Sequence, residues 1–475
     1  MLSWVEEEFD IEIDDDDAQG MRTFGNVVDF ICERKSAVQG AFMSGNATVS
    51  TSVSSSSSDT STAFEIRRPF VFEMLLTAGR LAERCGMKPP SLSAEAVMAG
   101  ARRRTGLDDF GPHDFSKPLE LILEDYEQDP NRGLAGRIAA RARTVTRMCQ
   151  RLWIEDDLKR HPETCDIPLT RPIFILGFPR TGTTLLQRLM ARDPDNRVTY
   201  MWEMQQPAMP EKLDRSGEDV RLKRAKSRLK LVTYVAPQLH KLHPMNAENP
   251  EECAALMANT LVSPAFAFAG PRYRDWLGSR SCDEIARGYE YYKLQLQILT
   301  RQNDRERWVL KSPIHLYAID SLLQVFPDAR IIHTHRDPLK VVPSGCSLAT
   351  AIERLLSDKA NAHAVADRYL DFAQQTIDRA MKARDAIGAD RVLDMQYEEV
   401  IADPVAAVER VYSFCGLDVK PAHREEMRRW LDENTQDKHG RHRYRLEDFG
   451  LTEERIADVF GTYVDRFKIP CADSQ

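Results

Sequence analysis

Two stretches of this chain combine glycine, hydroxyl and guanidinium groups at spacings suited to holding phosphate. The first, Ile173-Phe-Ile-Leu-Gly177-Phe-Pro-Arg180-Thr-Gly182-Thr-Thr184-Leu-Leu, reads as a strand, a glycine-flanked turn and a helix start. Its G-x-x-x-x-G spacing is that of a P-loop, with Thr184 at the hydroxyl position. Backbone N–H groups over Thr181, Gly182, Thr183 and Thr184, reinforced by the helix amino terminus, would cradle an anion. Thr183 stands where a nucleoside triphosphatase has the lysine that reaches the β- and γ-phosphates, which argues against ATP hydrolysis. Arg180 supplies a cation at a different point of the loop. An ordinary strand-to-helix turn can also hold two glycines, but strand, loop, Gly-Thr-Thr cap and apolar helix all agree on an anion loop.

The second stretch is the strand Ala329-Arg-Ile-Ile-His-Thr334, which releases His335-Arg336-Asp337-Pro338. Open α/β sheets bind ligands at the carboxyl ends of their strands. Ser344 follows eight residues after Arg336 and directly behind Pro343; proline suits the first turn of a helix, so Ser344 is expected at a helix amino terminus. Alone, Arg336 would read as a surface ion pair. The loop upstream and the serine downstream shift that reading towards a phosphate ligand.

Such groups converge only if the elements between them form a sheet. Strands are expected at Pro172–Gly177, Arg307–Lys311, Ala329–Thr334 and Arg391–Gln396, and helices at Thr183–Arg192, His315–Phe326 and Val405–Cys415. This alternation predicts an α/β domain over 166–475: a P-loop-like, mainly parallel central sheet flanked by helices. The long connection Arg192–Arg307 would hold inserted helices and the acceptor side. Residues 64–165 show helical periodicity, at Phe72–Ala82, Ser91–Arg104, Pro118–Tyr126 and Ile138–Trp153, and read as a helical cap or a homo-oligomer surface. The apolar run Cys253–Gly270, interrupted by Asn259, Thr260, Ser263 and Pro264, reads as a buried helix and loop, not a membrane span. Just before it, Asn246-Ala-Glu-Asn-Pro-Glu-Glu-Cys253 offers an oxygen-rich cluster, which a helix started by Pro250 with Glu251 and Glu252 in its first turn would explain.

Composition bounds the function. The formal charge is −8 over 475 residues, but residues 1–63 hold 12 acidic and three basic side chains, so that the head carries −9 and the body +1. A nearly neutral body argues against a general nucleic-acid binder. The head is acidic and then Ser/Thr-dominated over Ser44–Thr62, a composition expected to stay largely disordered. Nine scattered cysteines include no C-x-x-C pair, and no metal-ligand cluster is visible. With neither signal peptide nor apolar span, a cytoplasmic location is expected.

The loop Gly177–Thr184 resembles the 5′-phosphosulfate loop of sulfotransferases that use 3′-phosphoadenosine 5′-phosphosulfate (PAPS), and Phe326–Pro338 with Ser344 resembles their 3′-phosphate motif. Val309-Leu-Lys311-Ser-Pro is similar to their lysine-bearing strand end, and Gln396-Tyr-Glu-Glu399 to a late strand-to-helix connection. The likeness spans about Arg171–Phe467 and touches Arg104–Phe110, similar to segments of bacterial-type members. It implies donor binding by Arg180, Thr181, Gly182, Thr183, Thr184, Arg336, Ser344 and Tyr397. Arg180 matches the arginine of the tyrosylprotein branch, Lys311 a lysine on the leaving phosphate, and Glu203 a glutamate that acts as base. Lys438–Tyr444 loosely resembles a basic nucleotide-closing loop, and Asn246–Cys253 a segment near the acceptor pocket.

The implied reaction is in-line attack of an acceptor hydroxyl on sulfur. Glu203 would take the proton while Arg180 and Lys311 stabilise developing charge, without a metal. His243 and His315 are rival bases, histidine being the commonest. A P-loop phosphotransferase or a non-catalytic scaffold are the competing classes. Which small molecule, glycan or lipid accepts the sulfonate is not written in the sequence.

Overall fold

The computed structural model describes residues 90–208, 217–235, 245–303, 305, 307–357, 360–434 and 445–471. The acidic Ser-rich head, the periodic segment Phe72–Ala82, His243 and Lys438–Tyr444 lie outside the described residues.

Helices α1 (Ala94–Thr105), α2 (Ser116–Gln128) and α3 (Leu134–Arg160) precede strand β1 (Ile173–Leu176). Then follow α4 (Thr183–Met190), β2 (Asn196–Val198), α5 (Met201–Gln205), α6 (Ala254–Thr260), α7 (Cys282–Arg301) and β3 (Arg307–Lys311). The chain continues through β4 (Arg330–His335), α8 (Pro338–Leu356), α9 (Ala362–Ala386), β5 (Val392–Gln396), α10 (Tyr397–Ala402), α11 (Pro404–Cys415) and α12 (Glu453–Phe467).

The strands form one parallel sheet in the order β2-β3-β1-β4-β5. Strand β1 is central and buried along its whole length, as its unbroken apolar run Ile-Phe-Ile-Leu requires of a strand covered on both faces. Alternate side chains go to opposite faces. Ile173, Ile175, Val309, Ile332 and Met395 pack against Leu186 and Leu189 of α4 and Val408 and Val411 of α11. On the other face, Phe174, Trp308 and Leu310 share a core with Val97, Val145, Met148 and Leu152 of α1 and α3, so the amino-terminal helices close the sheet. Leu176 and Ile331 join Val341, Leu370 and Phe460 of α8, α9 and α12.

Register sets the site. Ile175 pairs with Lys311 and Leu176 with His333, so β1, β3 and β4 end together and release their loops on one edge. The four expected strands are present within a few residues, as are the helices expected at Thr183–Arg192 and Val405–Cys415. Over His315–Phe326 a 3-10 helix (Pro313–Ala318) leads into an α-helix that starts only at Ile319 (Ile319–Val325). One strand escapes periodicity: β2 spans only three residues inside the Arg192–Arg307 connection. The helix expected from Pro250 is a correction. Residue Pro250 makes an isolated antiparallel bridge with Tyr200, and α6 starts only at Ala254 with Cys253 as its cap. Glu251 and Glu252 therefore lie on an extended connection bound to the sheet edge.

Candidate active site

The loop after β1 is built from unusual backbone. Gly177 has φ 147°, and a Cβ there would stand 2.5 Å from both the carbonyl oxygen and Oγ1 of Thr334, so only glycine lets the chain leave β1 this close to β4. Arg180 (φ 71°) and Gly182 (φ 92°) are left-handed. An arginine held there is uncommon and stores strain of the kind that clusters at ligand clamps. Thr181 is buried; its hydroxyl donates to the Phe178 carbonyl at 2.7 Å and sits 2.6 Å from Thr334 Oγ1. That side chain pins the loop to β4, leaving its backbone to face the anion position. Helix α4 begins at Thr183 with no side-chain cap, Gly182 offering none, so its first N–H groups stay open beside exposed Arg180, a geometry that can receive an anion.

Arg336 and Tyr397 close over this loop from the ends of β4 and β5. The Arg336 guanidinium lies 3.7 Å from the Tyr397 ring centre and donates to the Arg180 carbonyl at 2.8 Å. The Tyr397 ring stands behind Gly182. Three residues from separate sequence regions are thus brought together. Ser344 is not where proline chemistry suggested. Its helix α8 starts at Pro338, capped by the Asp337 side chain accepting the Leu339 N–H at 2.8 Å, and Pro343 is inside the helix. Ser344 is therefore buried in the second turn.

Lys311 ends β3 as a buried ammonium 3.1 Å from Glu252 Oε1 and 4.0 Å from Glu251 Oε1. Its own carbonyl accepts the Cys253 N–H at 3.0 Å, which ties the Glu251–Cys253 connection to the strand end. Glu203 lies in α5, buried, with both oxygens in a fork from Arg197 at 2.7 and 2.9 Å and a further bond from the Tyr200 N–H at 3.3 Å. His315 is fully buried between Cys253 Sγ (3.1 Å) and the Tyr289 hydroxyl (2.9 Å), and burial pushes its pKa down to about 3. Sequence reasoning missed Arg197 and the place of Glu252; no local signal marks the first, while the oxygen-rich run before Cys253 marked the second.

A cavity of about 690 Å³ adjoins the loop, lined by Phe178 and Pro179, by Glu252, and by mostly apolar groups including Phe268, Pro313, Ile314, Leu348 and Phe372. Phe268 and Ile352, the exposed large apolar side chains among the described residues, line it too. A second cavity of about 550 Å³, lined by Arg171, Arg307 and Arg330, lies at the opposite, amino-terminal strand edge.

Beneath β4 and β5, His333, His335 and Asp394 form a cluster close enough for a metal. Both Asp394 oxygens, however, accept from Arg384 at 2.8 Å, and His335 bonds Asp394 and the Tyr463 hydroxyl. Burial alone would raise the Asp394 carboxyl, but Arg384 and His335 hold it well below the usual carboxylate range. The guanidinium already balances this carboxylate, and the network joins α9 and α12 to the sheet.

A parallel α/β sheet with a lysine-free phosphate loop, cations at neighbouring strand ends and an apolar cavity alongside defines a P-loop-type group-transfer protein. The chain belongs to the sulfotransferase family, whose model matches residues 172–421. It is an enzyme that transfers sulfonate groups. It is 27% identical over 327 residues to the omega-hydroxy-beta-dihydromenaquinone-9 sulfotransferase Stf3 of Mycobacterium bovis, covering 62% of this chain and 74% of the relative. The structure resembles sulfotransferase STF9 from Mycobacterium avium with TM-score 0.73 and 29% identity, over 81% of this chain and 99% of that one. Sulfotransferase STF1 from Mycobacterium tuberculosis aligns with TM-score 0.67 and 28% identity, over 79% and 100%. No helix among the described residues is long and apolar enough to cross a membrane.

Proposed function

We propose that this enzyme takes its sulfonate from PAPS and passes it in line to the hydroxyl of a mainly apolar small molecule or lipid. The observation that carries this reading is the juxtaposition of the anion loop with the 690 Å³ apolar cavity, which share Phe178 and Pro179. Most of the wall is apolar, which suits a hydrocarbon body that presents one hydroxyl at the loop, and Arg132, Arg143, Glu353 and Arg368 in the lining would meet polar groups elsewhere on it. The Stf3 relative, named for an omega-hydroxy acceptor, supports the same class.

The residues present fit the donor chemically. Backbone N–H groups from Thr181 to Thr184, with Arg180, suit a 5′-phosphosulfate. Arg336 suits a 3′-phosphate, Ser344 assists from α8, and Tyr397 orients the Arg336 plane. Lys311 and Arg180 stabilise charge on the bridging and sulfonyl oxygens as the S–O bond breaks, and the burial of Lys311 strengthens its part. The seven described cysteines carry no disulfide, which suits a reducing compartment such as the cytoplasm.

Calorimetric titration with adenosine 3′,5′-bisphosphate, the desulfonated donor, tests the reading against Mg-ATP. Binding of the bisphosphate without metal, followed by radiolabelled transfer to long-chain primary alcohols in preference to sugars, is the expected outcome. Preference for Mg-ATP, or transfer confined to sugars, would overturn it.

A further inference from the structure

We infer that Glu252, not Glu203, is the catalytic base that takes the acceptor's hydroxyl proton; this rests on the sulfotransferase reading above. A base must reach the acceptor and must be able to hold a proton there. Glu203 fails on both counts. Its two oxygens are occupied by the Arg197 fork, and Arg197 is itself buried over the Trp308 ring at 4.8 Å. Protonating Glu203 would leave that guanidinium as an uncompensated buried charge. Nor does Glu203 line the cavity. His315 is equally remote: both ring nitrogens are engaged and no atom of it lines the cavity.

Glu252 meets the geometric requirement. It lines the acceptor cavity on the same wall system as Phe178 and Pro179, and its side chain is 31% exposed where Lys311 is 1%. Its backbone is fixed on both sides. The Glu252 N–H donates to Glu251 Oε1 at 2.9 Å, the Glu251 N–H to the Thr199 carbonyl at 2.9 Å, and the Cys253 N–H to the Lys311 carbonyl. With the Tyr200–Pro250 bridge, these bonds hold Glu252 beside the ends of β2 and β3. Lys311 then orients one carboxylate oxygen at 3.1 Å, and Glu251, 4.0 Å from the same ammonium, stays as its counter-charge when Glu252 takes a proton, whereas the described carboxylate partner of Arg197 is Glu203 alone.

The step balances without another reagent. The acceptor O–H bond breaks and its proton passes to the Glu252 carboxylate. The oxygen forms a bond to sulfur, the sulfur–phosphate oxygen bond breaks, and its electron pair leaves with adenosine 3′,5′-bisphosphate. Glu252 returns the proton to water.

The test compares Glu252→Gln with Glu203→Gln by bisphosphate release from PAPS, using 1-hexadecanol and 4-nitrophenol as acceptors. An aliphatic alcohol needs a base; 4-nitrophenol, largely ionised in mildly alkaline buffer, does not. Glu252→Gln is expected to lower kcat for hexadecanol by about 10²- to 10⁴-fold, to change the 4-nitrophenol rate less than about fivefold, and to bind the bisphosphate as wild type does. Glu203→Gln is expected to lower thermal stability, with folded protein retaining turnover. Wild-type activity in Glu252→Gln, or equal losses with both acceptors as expected from disturbing Lys311, would overturn the assignment. A wild-type enzyme that fails to bind the bisphosphate would instead overturn the donor reading.

Discussion

Replacing Arg336 by alanine probes the donor site most directly, because its guanidinium makes two contacts at once. It stacks 3.7 Å from the Tyr397 ring centre and donates at 2.8 Å to the carbonyl of Arg180, a residue held in the left-handed region. A charge-assisted bond to a ligand phosphate contributes about 1.5–3 kcal/mol. The stacking adds about 0.5–1 kcal/mol, and the loop bond about 1 kcal/mol. These terms share one side chain and do not sum independently. A net loss of about 2–3 kcal/mol, or about 30- to 150-fold in Kd, is the expected result for adenosine 3′,5′-bisphosphate. The assay is calorimetry with the bisphosphate and with adenosine 5′-monophosphate in parallel. A 3′-phosphate ligand should lose affinity for the first and keep most of it for the second. Equal binding by wild type and variant would remove Arg336 from the site, and equal losses for both nucleotides would reduce it to a loop support.

Two further expectations follow from the loop and from the buried histidine. Gly177→Ala drives a Cβ to 2.5 Å from the Thr334 backbone at φ 147°, so overpacking and backbone strain should together lower stability by about 3 kcal/mol; an unchanged Tm would show that the loop can move off β4. For His315, the folded pKa is depressed to about 3 against an ordinary value of about 6.5. Above about pH 6.5 both states are neutral and nothing is lost. Below it the unfolded chain binds a proton that the folded one refuses, so stability should fall by up to about 1.4 kcal/mol per pH unit towards pH 3. Urea unfolding at pH 7, 6 and 5 should show a shallower decline in His315→Gln than in wild type; parallel declines would place the titration elsewhere.

The form of the loop after β1 could be read from the chain because everything that makes it lies within a few residues. An apolar strand, Gly177, Gly182 and a Thr-started helix are signals of local backbone preference, and Ile173–Leu176 and Thr183–Met190 take the forms those preferences dictate. Arg336 could be named because open α/β sheets bind ligands where parallel strands end, whatever their order; Tyr397 rested on the sulfotransferase resemblance alone. What residue spacing left open concerned partners far apart in sequence or choices between competing caps. Ser344 was expected at a helix start, yet Asp337 caps α8 six residues before Pro343, since a carboxylate accepting the Leu339 N–H starts a helix better than an interior proline. Glu203 matched a family spacing, but its chemistry depends on Arg197, which the short edge strand β2 turns inward beneath Trp308. Lys311 and Glu252 are 59 residues apart and meet because β2, β3 and β1 lie side by side and Pro250 bridges to Tyr200. Local propensity determines the loop and its helix; strand order and long-range register decide which carboxylate faces the acceptor, because they alone determine which distant side chains share a desolvated wall.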